Sequence, residues 1–240
     1  MREYSPSSKV DDIEPFLERY AAESARVRET VAFKTHRYGP GPRAELDLFR
    51  AEDRCVHAFI HGGYWQQLSK GDASFPAEGF VAAGITYAAV GYDLCPEVTL
   101  RDIVGQVGAA ISYLRSEYPD ADLTVSGSSA GAHLAATASR SELVDRLVLL
   151  SGIYDLRPLV PTYVNDLVGL DDTAAAELSP LLLPPPGIPT RVVWGENETE
   201  AFKRQSTLYA VHVDASTVQI PGRNHFDIVH DLPAIAGVET

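Results

Sequence analysis

Cysteine is scarce in this chain: Cys55 and Cys95 are the only two in 240 residues. Neither stands in a C-x-x-C pair or at a Cys/His ligand spacing, which argues against a disulfide framework or a zinc site. Two reduced thiols are expected, with a cytoplasmic address by default. Long apolar runs are also missing. None approaches the ~18 residues that a membrane-spanning helix requires. The opening segment, MREYSPSSKVDDIEPFLERY, has no apolar core and carries early acids, so no secretory leader is expected. Basic residues are in deficit, with 20 Lys and Arg against 33 Asp and Glu, a formal net charge of −13. No basic stripe is present to hold a nucleic acid. The acidity reads as solubility and as like-charge repulsion between copies. A small-molecule substrate is the expected partner, with no nucleic acid, membrane, metal or cofactor, and a homodimer stays open.

The composition that remains, 45% hydrophobic and 22% charged, is that of a soluble globular protein. The length suits one α/β domain over residues 1–240. Residues 31–36 and 45–49 alternate and predict an antiparallel pair joined through Gly39-Pro40-Gly41-Pro42. Strands are predicted at 55–60, 85–90, 123–126, 144–150, 190–194 and 217–220. Helices are predicted at 100–118, 130–138 and 200–209, the first from apolar residues Ile103, Val107, Ala110, Ile111 and Leu114. Such alternation predicts a mainly parallel sheet covered by helices on both faces. Residues 154–189 break the pattern. Residues 154–170 read as a small helical excursion over the site, and a proline-rich run ending in Pro184-Pro185-Pro186 reads as the return path. Any lid should therefore be short.

Gly127-Ser128-Ser129-Ala130-Gly131 fits G-x-S-x-G. The pattern alone is weak, because small residues are common. Its setting is specific: a β-type run precedes it and the helix former run AHLAATA follows, the strand–turn–helix context of a nucleophile elbow. Ser129 is the expected nucleophile. The helix that starts after it aims N–H groups and partial positive charge at a developing anion. The bland alternative, an N-capping serine, is outweighed by the context.

His61-Gly62-Gly63-Tyr64-Trp65 follows an apolar strand. On its own it would be a plain glycine turn. Paired with the Ser129 turn, it reads as an oxyanion loop, with N–H donors from Gly62 and Gly63 beside that of Ala130. Tyr64 and Trp65 either pack under the loop or line the acyl pocket; the sequence does not separate the two. Tyr154, after the strand that follows the nucleophile helix, and Phe226 are further candidates for the pocket. Tyr92 and Asp93 follow a strand and could brace the glycine loop, with a structural role favoured.

In this chain order the acid precedes the base. Of seven histidines, His225 alone stands in a loop directly after the last strand, in Pro221-Gly222-Arg223-Asn224-His225-Phe226, and is the expected base. The acid should follow strand 190–194, where Glu196, Glu198 and Glu200 crowd one loop. Spacing from Gly195 favours Glu198, Glu196 is the runner-up, and Glu200 suits a helix start.

With these segments in view, the chain resembles arylformamidases of the α/β-hydrolase type, the kynurenine formamidases that act on N-formylkynurenine. The resemblance rests on Tyr4-Ser5-Pro6-Ser7, HGGYWQ with Leu68-Ser69-Lys70, Tyr92-Asp93-Leu94-Cys95-Pro96, SSAGAHLAA and GENETEAFKRQS, and covers most of the chain. It implies an α/β-hydrolase fold and a Ser129–Glu198–His225 triad; the short lid excursion is a departure from the group. It also implies cleavage of an aryl formamide to the arylamine and formate through a formyl-serine. Ser128 departs from the group, which often has His there. A broad short-chain carboxylesterase would use the same triad. A catalytically silent binding protein of this fold would usually lack one of the three residues.

Overall fold

The computed structural model describes residues 2–238. Eight strands form one sheet: β1 (Lys34–Arg37), β2 (Glu45–Phe49), β3 (Glu52–Ile60), β4 (Ile85–Val90), β5 (Asp122–Ser128), β6 (Arg146–Leu150), β7 (Thr190–Gly195) and β8 (Ser216–Ile220). Their order is β1-β2-β4-β3-β5-β6-β7-β8. Only β2 runs antiparallel to its neighbours, β1 and β4; the others pair in parallel. The helices are α1 (Glu14–Thr30), α2 (Ala77–Ala82), α3 (Leu100–Glu117), α4 (Ala130–Ala138), α5 (Asn165–Val168), α6 (Asp172–Glu177), α7 (Glu200–His212) and α8 (Leu232–Ile235). This is the α/β-hydrolase fold that the motifs implied.

Parallel strands buried on both faces must be apolar on both. In β6, Leu147 and Leu149 face a core completed by α3, α4 and α7, whereas Val148 and Leu150 face a second core with α1, α2 and α8. In α3 the helical spacing does the same work: Ile103, Val107, Ala110, Ile111 and Leu114 are all buried. Thr99 caps this helix in a reciprocal capping box with Asp102.

The excursion at 154–189 holds two short helices, α5 and α6, and two 3-10 turns, Arg157–Leu159 and Pro180–Leu182. It is tied down rather than free. Gln66 Nε2 donates to the Val164 carbonyl at 2.7 Å, and His133 Nε2 lies 2.8 Å from the Leu178 carbonyl. Helices α1 and α2 are among the elements that were not anticipated. Helix α1 is strongly charged on its outer face and buries only Tyr20, Ser24 and Val27, so its apolar stripe is thin. No described helix is long and apolar enough to cross a membrane.

Candidate functional site

Every predicted site segment leaves the sheet from the carboxyl end of a parallel strand, the edge where open α/β sheets bind ligands. His61 follows β3, Ser129 follows β5, the 196–198 turn follows β7 and the His225 loop follows β8.

Ser129 sits at φ 57°, ψ −117°, a backbone conformation that a residue with a Cβ rarely adopts. Its carbonyl already accepts from the N–H groups of Ala132 and His133, so α4 starts at the serine itself. Gly131 makes the turn possible, because a Cβ there would overlap the carbonyl oxygen of Ile60 on β3. Helix α4 thus comes flush against β3, and β3 delivers the glycine loop. A Cβ on Gly62 would lie 3.3 Å from the Ser129 Cβ, so the loop backbone lies against the serine. The N–H groups of Gly62 and Gly63 have no acceptor among the described residues, and that of Ala130 belongs to the unpaired first turn of α4. None of these three N–H groups is spent on an acceptor among the described residues.

The loop is fixed from below. The Tyr92 hydroxyl donates to the His61 carbonyl at 2.8 Å and lies 3.2 Å from that of Gly62. The Tyr92 ring stacks on His61 at 4.2 Å. His61 is itself buried, which pushes its pKa down to about 4 and keeps the ring neutral; Nδ1 lies 2.9 Å from the Gly62 carbonyl. Asp93 turns away from the loop and accepts from the Arg43 N–H at 2.8 Å and from Gln106 Nε2 at 2.9 Å.

His225 is 7% exposed and places Nδ1 2.9 Å from Glu198 Oε1. Glu198 is 1% exposed, and Oε2 has no hydrogen-bond partner among the described residues. Glu196 goes elsewhere: it is exposed and accepts from the Gly222 N–H at 2.8 Å. Glu200 begins α7. Phe202 on α7 sets its ring edge-on to His225 at 4.6 Å. The loop around the histidine is shaped by Asn224, whose Oδ1 accepts from the N–H groups of Phe226 and Asp227.

Ser129 and His225 line the same cavity, of ≈ 300 Å³, together with Gly62, Gly63, Tyr64 and Phe226. The other two pocket candidates do not reach it. Trp65 is fully buried against His133, ring to ring at 5.1 Å. Positive φ at both Tyr64 (52°) and Trp65 (61°) curls the loop so that the indole turns into the core. Tyr154 is likewise fully buried and stacks on Tyr209 at 4.1 Å.

Several walls were not foreseen. Pro6 and Ser7 from the start of the chain, Leu17 and Tyr20 from α1, Phe75, and Tyr163 from the excursion all line the cavity. The opening segment is held in place by named bonds. Thr199 Oγ1 donates to the Glu3 carbonyl at 2.6 Å, Tyr64 Oη donates to the Tyr4 carbonyl at 2.6 Å, and Ser5 Oγ lies 3.1 Å from Tyr163 Oη. Tyr4-Ser5-Pro6-Ser7 was the signal available in the sequence.

Comparison with known proteins gives the chain's relatives. Residues 49–155 match the BD-FAE family model. The chain is 31% identical over 220 residues to the kynurenine formamidase of Salmo salar, covering 81% of this chain and 75% of that one. It is 31% identical over 226 residues to the kynurenine formamidase of Drosophila melanogaster, with the same coverage of 81% and 75%. Among solved structures, a proposed thioesterase from Silicibacter sp. superposes with a TM-score of 0.91 at 28% identity, covering 99% of this chain and 97% of that one. The carboxylesterase EstE1, cloned from a metagenomic library, has a TM-score of 0.77 at 19% identity over the whole of both chains, a likeness of fold. The chain therefore belongs to the kynurenine formamidase family of serine hydrolases with the α/β-hydrolase fold.

Proposed function

We propose that the protein hydrolyses aryl formamides such as N-formylkynurenine to the arylamine and formate, with Ser129, His225 and Glu198 as its triad. The observation that carries this reading is the strained Ser129 turn in one cavity with His225, whose far nitrogen is held by a buried glutamate. The kynurenine formamidases among its relatives support the substrate class.

In this mechanism Ser129 Oγ bonds to the formyl carbon while its proton passes to the imidazole Nε2 of His225. Glu198 orients the ring through Nδ1 and stabilises the imidazolium. The carbonyl electrons move onto oxygen, where hydrogen bonds donated by the N–H groups of Gly62, Gly63 and Ala130 stabilise the negative charge. His225 returns its proton to the amide nitrogen, the C–N bond breaks, and the arylamine leaves. Water then adds to the formyl-serine by the same steps, its proton going to His225, and formate is released as Ser129 recovers its hydrogen.

A short-chain ester would be attacked by the same triad, so ester hydrolysis is the alternative activity. One assay separates the two. Purified protein is given N-formylkynurenine beside p-nitrophenyl acetate, and an acyl series from formyl to butyryl. A formamidase cleaves the first and loses rate steeply along the series. Turnover of the esters with N-formylkynurenine untouched would remove the formamidase reading.

One sheet holding all eight strands supports reading residues 1–240 as a single domain. The unpaired thiols of Cys55 and Cys95 support a cytoplasmic setting.

A further inference from the structure

Building on the reading of His225 as the base, we propose that Tyr20 is a positioning residue for it: the Tyr20 hydroxyl anchors the loop of His225 to helix α1, and the helix clamps that loop against the site. His225 is held by its neighbours rather than by its own backbone. Neither its N–H nor its carbonyl has a hydrogen-bond partner among the described residues. Two residues earlier, the Arg223 carbonyl accepts from the Asn197 N–H. One residue later, the Phe226 carbonyl accepts from the Tyr20 hydroxyl and from no other donor among the described residues. These two carbonyls tie the loop on either side of the imidazole, one to the turn of Glu198 and the other to α1.

Helix α1 grips the chain beyond His225 with one face. Phe16, Tyr20 and Glu23 are spaced four and three residues apart, which sets them above one another on a helix. The Phe16 ring meets that of Phe226 at 5.5 Å between centroids, and Glu23 Oε2 lies 3.2 Å from His230 Nδ1. The helix is anchored in turn. Ser24 Oγ accepts from the N–H groups of Ser74 and Phe75 at 3.1 and 3.0 Å, and Arg28 pairs with the buried Asp47. Burial, helped by the Asp227 carboxylate, raises the Tyr20 pKa, so the hydroxyl keeps the proton that it donates. A clamp of this kind fixes the aim of the His225 ring, and a small error of aim costs more in the transition state than in substrate binding.

The test measures kcat, KM and the urea midpoint for Tyr20→Phe, Phe16→Leu, Val27→Ala and His225→Gln, on N-formylkynurenine and on p-nitrophenyl acetate. Tyr20→Phe keeps the ring in the cavity wall and removes only the tether. Its kcat should fall about tenfold, with KM within about twofold of native. Phe16→Leu thins the same grip and should lose about threefold in kcat. Val27 is buried further along the helix, away from the loop. Val27→Ala should therefore lower the urea midpoint and leave kcat within about twofold of native. A native kcat in Tyr20→Phe, a loss confined to KM, or an equal loss of kcat in Val27→Ala at matched stability would overturn the proposal. His225→Gln separates this claim from the one beneath it. Activity that survives there removes the base assignment and the clamp with it. If His225→Gln is inactive and Tyr20→Phe is native, only the clamp falls. If the acetate shows every expected effect and N-formylkynurenine is inert, the clamp stands and the formamidase reading fails.

Discussion

The backbone N–H of Asn197 donates to the carbonyl of Arg223 at 2.8 Å. That bond joins the turn carrying Glu198 to the loop carrying His225, with help from Asn197 Nδ2, which donates to the Gly222 carbonyl at 3.0 Å. The approach requires a glycine at position 195, since a Cβ there would overlap the Arg223 carbonyl oxygen. Gly195→Ala is expected to cost about 1–3 kcal/mol of stability by overpacking. It should also lower kcat by about tenfold, because small displacements of a catalytic pair are expensive. Denaturant unfolding and steady-state kinetics on the same preparation check both.

The two glutamates of that turn should separate cleanly. Glu198→Gln keeps the shape but loses the charge facing His225, and kcat should fall by about 10²–10⁴-fold. Glu196→Gln touches only an exposed contact with Gly222 and should stay within about threefold of the native rate. Comparable losses in both variants would contradict the assignment of the acid.

Tyr92 sits behind the oxyanion loop, not in the cavity. Tyr92→Phe keeps the stack on His61 and removes the hydroxyl that donates to the His61 carbonyl at 2.8 Å. A buried acceptor then loses its donor, at a cost of about 1–3 kcal/mol. If the loop loosens, the developing anion is affected more than bound substrate, so kcat should drop about tenfold with KM nearly constant. Kinetics at fixed pH with a competitive inhibitor constant alongside would show whether binding is spared.

Acid should unfold the protein through its buried histidines. Burial pushes the pKa values of His57, His61 and His133 down to about 3, 4 and 4. Such groups are neutral in the folded chain but bind protons below about 6.5 once unfolded. Their stabilising effect is therefore complete above that value and is lost as pH falls toward 4 and 3. Each proton taken up contributes about 1.4 kcal/mol per pH unit, so the three together give a slope of about 4 kcal/mol per pH unit near pH 5. Urea unfolding between pH 7.5 and 5 measures the slope. His57→Gln, which replaces a ring 2.7 Å from Ser126 Oγ, should reduce it by about one proton.

Much of this architecture could be read in the chain because its signals are local. The strand–turn–helix around Ser129 needs small residues at fixed offsets, and the alternation of strands with helices fixes a mainly parallel sheet. The expectation for His225 came from its place after the last strand. Glu198 was harder, since three glutamates share one stretch and which of them faces the histidine is a tertiary feature, seen in the contact between Glu198 Oε1 and His225 Nδ1. Trp65 and Tyr154 were candidates for the pocket and lie in the core instead. Their direction is set by the positive φ of one loop and by a stack against Tyr209, and neither leaves a trace in spacing. The cavity walls from Pro6, Leu17 and Tyr163 come from segments far apart in sequence, with too thin an apolar stripe to announce themselves.

The most direct measurement is covalent labelling at Ser129. The protein is treated with a stoichiometric organophosphate, and peptide mass spectrometry is run beside the residual hydrolysis of N-formylkynurenine. One adduct on Ser129, rising in step with the loss of activity, is the expected result. Full activity in a protein quantitatively modified there, or an adduct confined to Ser128, would contradict it.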